Sequence, residues 1–241
     1  AMDVIFRTLF SVPIENETAS AAFEAFRAHQ QAQPLVNAGA LLPLPKWFPR
    51  FHSRRARQTA RTIRSLIGQL TAARAAEIAA GRAPDDLATK IMTTPDPETG
   101  EVFDTEEMAD QVAIFFLAGH ETSAAALAWS LYLLALYPAW QERVAAEAEA
   151  AIDPAKIYFS ALSKLRDSRA VFREAMRLYP PVPMYVREAA RHERFRGRKV
   201  KKGAQVILSP WHLHRHERLW ENPDGFDPDR FSTPNGKDCL R

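Results

Sequence analysis

Apolar residues in the first half of the chain recur at helical spacing. The opening segment DVIFRTLF and the segment from Ala19 to Gln33 both predict helices, with Phe23 and Phe26 on the apolar side of the second. A third and longer amphipathic helix is predicted over 53–81, where Gly81 lies past the end. Its apolar face comprises Ile63, Leu66, Ile67 and Leu70. Between the second and third helices, four prolines in PLVNAGALLPLPKWFPRF predict a loop.

The longest apolar run is QVAIFFLAGHETSAAALAWSLYLLALYP, from Gln111 to Pro138. Asp104 and Glu107 fit a capping box, and Pro138 ends the run, so the predicted helix spans 104–137. It is long enough to cross a membrane. However, Glu121 near its centre costs about 2.5–3.5 kcal/mol in a bilayer, and acidic residues precede the run. The pattern therefore favours the central core helix of a large domain.

Two further helices are predicted over 140–152 and 161–179. After them, strand and turn signals replace the helical pattern. RKVKKGAQVILSP predicts a small hairpin with Lys202 and Gly203 at its turn. WHLHRHERLWENPDGFDPDRF then predicts a short helical turn between loops. The chain is thus expected to be mainly α, with a small β-hairpin region within 186–231.

Composition narrows the class of protein only slightly. Hydrophobic residues make up 46% of the chain and charged residues 25%, as in soluble globular proteins. The net charge of +3 permits an acidic partner without requiring nucleic acid. The single cysteine, Cys239, excludes an internal disulfide and favours a reducing, cytoplasmic setting. No signal peptide is recognisable. The chain opens inside a helix and closes in turn-forming residues, so we expect a fragment.

Polar residues in the middle of the long apolar helix are the first candidates for chemistry. Gly119 has no side chain, so a flat or bulky group can approach the backbone there. The Thr122 hydroxyl can donate back to the Ala118 carbonyl and bend the helix. Glu121 beside Thr122 pairs an acid with an alcohol, the components of a short proton relay. A satisfied core threonine beside a glutamate that reaches solvent explains this segment equally well.

A second set of residues resolves that choice. Glu174 and Arg177 are three apart and share one helix face, and the segment FDPDRF follows much later. The order A-G-x-E-T, then E-x-x-R, then P-D-R-F resembles the cytochromes P450, a family of haem-thiolate monooxygenases. The resemblance covers 104–231 well and the earlier helices loosely. It implies a single partial domain over 1–241, with a P450-like helical fold that is incomplete at both ends.

The resemblance also assigns expected roles to residues. The helix 104–137 would cross the distal face of haem, with Ala118 and Gly119 against the cofactor and Gly119 forming the groove for dioxygen. Thr122 and Glu121 would deliver protons during oxygen activation. Arg187 would bind a haem propionate. The other expected sites are a substrate pocket of Phe115, Ala118, Val182, Pro183 and Met184, and a buried structural ion network of Glu174, Arg177 and Arg230.

The activity implied by the resemblance is insertion of one atom of O2 into a small organic substrate at haem b. Electrons would come from NAD(P)H through a ferredoxin or a flavin reductase. No nucleic acid and no membrane partner is expected. The segment VREAARHERFRGRKVKK is basic enough to contribute to a partner-facing surface, although a solvated strand edge accounts for it too.

One part of the family pattern is missing from the sequence. The haem iron of these proteins takes a cysteine thiolate from a loop of the form F-x-x-G-x-x-x-C-x-G. The segment NGKDCLR around Cys239 lacks that pattern, so we expect no axial ligand here. The alternative function is therefore a non-catalytic, haem-free helical fragment. His212, His214 and His216 would share a face if extended, but the resemblance places an ordinary loop there and disfavours a metal site.

Overall fold

The computed structural model describes residues 2–13, 15–32, 53–103, 105–156 and 158–231. The chain divides into two compact units, 1–120 and 121–241. Both are built mainly from helices, as the sequence predicted, and the second also contains four short strands. The proline-rich loop after α2, the proposed cap at Asp104 and Cys239 lie outside the described residues.

The first unit consists of helices whose ends are set by identifiable residues. Ser53 caps α3, because its Oγ accepts the Ala56 N–H at 3.0 Å. Gly81, with φ of +66°, lies just past that helix in the left-handed conformation that glycine adopts easily. The helices are α1 (Met2–Phe10), α2 (Glu17–Ala32), α3 (Arg54–Ala79), α4 (Leu87–Thr93) and the first part of α5 (Thr105–Leu136).

Phe116 of α5 lies at the centre of the core of the first unit. Its ring centroid is 4.5 Å from that of Phe6, 5.6 Å from that of Phe26 and 6.4 Å from that of Phe10. Such tilted and stacked ring pairs add to the free energy of simple burial. The predicted face of α3 is confirmed, since Ile63, Ile67 and Leu70 are buried and Leu66 packs against them.

A buried ion pair joins three elements of the first unit. Arg74 of α3 donates to the Asp86 carboxylate, and to the Phe10 carbonyl at 2.6 Å. Asp86 caps α4 by accepting the Thr89 N–H at 3.0 Å, and it accepts the Ser11 hydroxyl at 2.9 Å. Burial opposes ionisation of Asp86, but these hydrogen bonds outweigh it and lower the pKa of its carboxyl. Asp86 is therefore a charged residue in the folded interior.

The second unit begins within α5 and continues with α6 (Pro138–Ala151), a 3-10 helix (Phe159–Lys164) and α7 (Arg166–Leu178). The helix predicted over 161–179 therefore begins five residues late, at Arg166. Leu165 interrupts it with ψ of +72°, outside the helical region. The Glu147 carboxylate of α6 accepts the N–H groups of Asp167 and Ser168 at 2.7 and 2.9 Å, which caps α7 from another helix.

The predicted single hairpin within 186–231 is wrong in its pairing. Two separate antiparallel sheets form, β1 (Tyr185–Glu188) with β4 (Gln205–Leu208) and β2 (Glu193–Phe195) with β3 (Arg198–Val200). Lys202 and Gly203 do form a turn, but it connects strands of different sheets. A short helix, α8 (Pro210–Leu213), and a 3-10 helix (Pro228–Phe231) complete the unit.

Helix α5 contributes to the core of each unit through one face only. In its first part Val112 and Phe116 are buried, and in its second part Ala126, Ser130 and Leu133. Its other apolar side chains are exposed, including Ile114 at 56%, Leu127 at 55% and Leu131 at 59%. The described residues therefore cover α5 along a single stripe, and its expected place as the core helix of a large domain stays a prediction.

The segment Glu107–Leu136 is also long and apolar enough to cross a membrane by length and composition. Its mean hydropathy is 1.3, and 17% of the most apolar window is buried. The core helix of a soluble protein passes the same test, so this property does not choose between the two settings.

The buried pair of Arg74 and Asp86 generates a stability prediction. Asp86→Asn keeps a helix cap but leaves the buried Arg74 guanidinium with only the half-exposed Glu77 carboxylate, 2.9 Å from its Nε. The free energy of unfolding in urea should therefore fall by about 3 kcal/mol at neutral pH, the lower end of the cost of breaking a buried pair. The folded-state pKa lies below the ordinary 3.8. The stabilisation is therefore present above that pH and lost as the pH falls through the folded-state pKa.

The matched control is Asp85→Asn, because Asp85 is adjacent in sequence but 87% exposed in its ion pair with Lys90. It should change the free energy of unfolding by less than about 1 kcal/mol. A loss in Asp86→Asn that stays constant from neutral pH to below pH 3.8 would contradict the assigned charge.

Candidate functional site

The predicted catalytic residues lie within about one turn in the middle of helix α5. The helix runs without interruption through Gly119, Glu121 and Thr122. Glu121 is exposed and Thr122 is half-buried. The acid and the alcohol are adjacent in sequence, so they point about 100° apart around the helix axis. The expected hydrogen bond from Thr122 to the Ala118 carbonyl stays a prediction.

A back-bonded hydroxyl of the predicted kind occurs two turns later on the same helix. Ser130 is 6% exposed, and its Oγ donates to the Ala126 carbonyl at 2.7 Å. Such a bond satisfies a buried hydroxyl without a partner from another element. Sequence reasoning missed Ser130, although its place in an apolar run was the available signal.

Gly119 permits a close approach, but the approaching group in this structure is a side chain. A Cβ built at Gly119 would lie 3.1 Å from Cδ1 of Ile5 in α1. That distance is shorter than ordinary van der Waals contact, so an alanine at 119 requires Ile5 to shift. The absence of a side chain at 119 therefore serves helix packing here, and its expected role toward dioxygen is not tested.

Glu174, Arg177 and Arg230 are brought together in the second unit. Arg177 binds the Glu174 carboxylate with two donors, Nε at 2.7 Å and Nη2 at 2.8 Å. Arg230 Nε donates to the same carboxylate at 3.0 Å, and the Asp227 N–H donates at 2.9 Å. Glu174 is completely buried, and a buried carboxylate requires such donors. The three residues that the P450 resemblance grouped therefore form one contact network.

Arg177 has all five of its N–H donors engaged. Besides the two on Glu174, it donates to the carbonyls of His214 at 2.7 Å, Gly225 at 2.9 Å and Pro223. The planar guanidinium presents its donors in fixed directions, so it holds three loop carbonyls in place at once. Sequence reasoning missed these carbonyl partners, because backbone acceptors leave no mark in side-chain identity.

His214 adds to this network as a neutral side chain. Its Nδ1 lies 3.2 Å from the Arg177 carbonyl, which can only accept, so Nδ1 carries the proton. Burial lowers the pKa of His214, as do the positive charges of Arg177 and Arg215, while the bond to the carbonyl raises it. The net effect is a lowered pKa, so the imidazole is uncharged at neutral pH.

The neighbouring histidines have separate partners. His212 Nδ1 pairs with Ser209 Oγ at 2.8 Å, and His216 Nδ1 accepts the Arg218 N–H at 3.1 Å. Within the described ranges no group of three His, Cys, Asp or Glu side chains is placed to hold a metal ion. The histidine run therefore provides loop contacts in this structure.

The remaining predicted residues are accessible to a ligand. Arg187 lies on β1, where its Nη1 donates to the Val186 carbonyl at 3.0 Å and its guanidinium lies 5.0 Å from the Tyr185 ring. Phe115 is 42% exposed. The other pocket candidates, Ala118, Val182, Pro183 and Met184, are also exposed. The Pro183 carbonyl accepts from Ser209 Oγ and the Trp211 N–H, both at 3.3 Å, which fixes that loop.

Comparisons with known proteins assign this arrangement to a family. The family model described as Cytochrome P450 matches residues 1–240. A cyclooctat-9-en-7-ol 5-monooxygenase of Streptomyces melanosporofaciens is 31% identical, with 100% of this chain matched to 51% of that protein. Cytochrome P450 4A11 of Homo sapiens is 37% identical over 56% of this chain and 26% of its own length.

Solved structures agree on the fold. The heme domain of cytochrome P450DA superposes with a TM-score of 0.79 at 25% identity, covering 99% of this chain and 51% of that one. The retinoic acid-bound cyanobacterial CYP120A1 has a TM-score of 0.76 at 23% identity. This chain thus spans about half the length of these relatives. On the whole-length family match, together with the arrangement of Glu174, Arg177 and Arg230, the chain belongs to the cytochrome P450 family.

Proposed function

We propose that the full-length protein is a haem-thiolate monooxygenase that inserts one oxygen atom of O2 into a small organic substrate. The observation that carries the proposal is the acid and alcohol pair, Glu121 and Thr122, in the middle of an otherwise apolar helix of this family. Thr122 is half-buried, and a hydroxyl withdrawn from water requires a hydrogen-bond partner, whereas Glu121 is exposed and can exchange protons with solvent. The monooxygenase named among the relatives supports the same reaction class.

The described residues fit one side of a haem. Exposed apolar side chains on α5, among them Phe115 and Leu117 at 42% and 47%, offer the surface that a flat apolar ring requires. Arg187 is an exposed cation with geometry suited to a propionate carboxylate. The only thiol, Cys239, lies outside the described residues and outside any F-x-x-G-x-x-x-C-x-G pattern. When bound, haem b supplies oxygen activation.

Each residue of α5 then has a defined task. Ala118 and Gly119 present a surface with little side-chain bulk toward the cofactor. The Thr122 hydroxyl holds a proton at its Oγ, and Glu121 replaces it from the solvent-exposed side of the helix. Phe115 and Ala118 of the first unit, and Val182, Pro183 and Met184 of the second, each offer exposed apolar surface for contact with the substrate. The electron donor is an NAD(P)H-dependent ferredoxin or flavin reductase, in a cytoplasmic setting.

Glu174, Arg177 and Arg230 hold the scaffold rather than touch the substrate. Their donors and acceptors are consumed by one another and by loop carbonyls, so none points to a free ligand position. We assign them a structural role.

Thr122→Ala in the full-length protein tests the proton-transfer role. Losing the hydroxyl should uncouple NAD(P)H consumption from product formation and release hydrogen peroxide, while substrate affinity stays near normal. A positioned proton donor contributes on the order of 10²-fold or more to rate, so product per NAD(P)H should fall at least severalfold. The measurement is the ratio of product to NAD(P)H, with peroxide quantified in parallel.

Ser130→Ala is the matched control, since it removes from the same helix a hydroxyl that donates to the carbonyl one turn earlier. It should leave the ratio of product to NAD(P)H unchanged. Equal coupling in the parent protein and in Thr122→Ala would refute the assigned role of the hydroxyl.

The structural role of the ion network is tested by a double-mutant cycle. Arg177→Ala and Arg230→Ala should each lower the free energy of unfolding, the first by about 3–5 kcal/mol, because the buried Glu174 carboxylate keeps only one of its two arginine partners. The double variant should lose less than the sum of the two, since the second removal acts on a broken network. The full-length variants should also retain less haem. The control is Arg173→Ala, which removes an exposed arginine of α7. Strict additivity of the Arg177 and Arg230 effects would exclude the coupling.

The isolated 241-residue chain distinguishes the monooxygenase from its haem-free alternative. Mixed with haemin, reduced and exposed to CO, it should show no thiolate-type Soret band and no turnover, because NGKDCLR lacks the pattern that presents a thiolate to iron. Any histidine-type spectrum should be unchanged in Cys239→Ser. A thiolate-type band that Cys239→Ser abolishes would show that this chain already contains a working haem ligand.

A further inference from the structure

A short segment late in the chain carries a large excess of positive charge. Residues 186–202 contain eight arginines and lysines against two glutamates, a net charge of +6. The whole chain carries +3, so the remaining residues are together net negative, at −3. A cluster of this density creates a local positive field that the overall charge conceals. The proposed oxidation reaction uses only Arg187 from this segment.

The centre of this segment is a protruding hairpin with an aromatic side chain at its tip. Strands β2 and β3 are joined by Arg196 and Gly197, both with positive φ, at +48° and +80°. This is the two-residue turn that suits the natural twist of a hairpin. Phe195, next to the turn, is 70% exposed. Every residue from 190 to 199 is exposed, so the hairpin projects into solvent.

The hairpin pairs like charges across its strands. Arg194 lies directly opposite Lys199, and Phe195 lies opposite Arg198. Like charges in opposite positions destabilise a strand pair. The two glutamates do not offset them, because Glu193 pairs with Arg191 and Glu188 lies opposite Gln205 on the other sheet. Among the residues that the structure describes, Arg194, Arg198 and Lys199 make no ion pair. The hairpin thus presents cations whose mutual repulsion an external anionic surface would relieve.

We propose that the hairpin Glu193–Val200 is a membrane-contact element that binds the surface of an anionic lipid bilayer. Its cations lie against lipid phosphates, and Phe195 inserts at the boundary between headgroups and acyl chains. Polybasic segments are attracted to anionic leaflets in proportion to their number of lysines and arginines. An exposed aromatic ring between two arginines adds apolar contact at the same depth. The sequence predicted no membrane partner, and this hairpin changes that expectation.

Phe195 is the reason to choose a bilayer over an acidic protein. An acidic protein surface pairs cations with fixed carboxylates, and a phenyl ring strengthens such binding only where the partner offers a pocket that fits it. A bilayer accepts the ring wherever the hairpin lands. An exposed cluster of cations beside one exposed aromatic side chain therefore suits a lipid surface.

The test is co-sedimentation of the 241-residue chain with vesicles of phosphatidylcholine alone and with vesicles containing about a third phosphatidylglycerol. The chain should bind the anionic vesicles more tightly, and added salt should weaken that binding. Arg194→Gln and Arg198→Gln should each reduce it about fivefold. Phe195→Ser should also reduce it. Subtracting the binding to phosphatidylcholine removes any contribution from the exposed face of α5.

Matched controls separate the hairpin from general charge and exposure. Arg55→Gln and Arg57→Gln remove two exposed arginines from α3, and Phe159→Ser removes a phenyl ring that is 90% exposed. These should leave anionic vesicle binding unchanged, and all variants should retain the parental far-ultraviolet circular dichroism. The proposal is overturned if hairpin variants lose no more than the controls do. It is also overturned if Phe195→Ser has no effect while the arginine variants lose binding to polyglutamate as strongly as to vesicles, which would identify an acidic protein partner.

Discussion

A single carboxylate, that of Glu174, determines how the second unit can be assembled. It is completely buried and accepts from Arg177 twice, from Arg230 and from the Asp227 N–H. A completely buried carboxylate is stable only when its hydrogen-bond donors are all in place. Helix α7, the loop around Pro223 and the final 3-10 helix must therefore be in place at once. The surrounding apolar core of Val171, Ala175, Leu178 and Phe226 can then close around them.

The first unit also contains a buried carboxylate, that of Asp86, which an arginine stabilises. Arg74 and Asp86 connect α3, α4 and the end of α1, whose Phe10 carbonyl accepts from the guanidinium. In each unit an arginine collects backbone carbonyls that would otherwise lack donors, because a helix or a loop ends at that point. The two ion networks thus specify where chain segments end, while the apolar clusters that contain Phe116 and Phe226 form the hydrophobic cores of the two units.

Periodicity in the sequence predicted the helices well, because each buries a stripe that recurs every three or four residues. The face of α3 and the meeting of Glu174 with Arg177 followed from spacing, and Arg230 followed from the family pattern. Strand pairing did not follow, because Lys202-Gly203 and Arg196-Gly197 are equally good local turn signals and the tertiary context chooses between them. The start of α7 was missed since its cap comes from Glu147, twenty residues earlier. The exposure of α5 could not be read from its composition, which is the same for a helix covered on one side or on all sides.

The contact between Gly119 and Ile5 links two distant parts of the chain by size. Gly119 of α5 has no side chain, and Cδ1 of Ile5 lies close to the space that a methyl group at position 119 would occupy. Positions 119 and 5 are far apart in sequence but adjacent in the fold. Because protein interiors are closely packed, the side chains at these two positions cannot both be large without displacing each other. A chain that acquires a methyl group at 119 requires the end of the Ile5 side chain to move by a few tenths of an ångström, and a larger side chain at 119 requires more. Size complementarity at these two positions is therefore a constraint on how the family's central helix can vary in this protein, independent of any chemistry performed on its other faces.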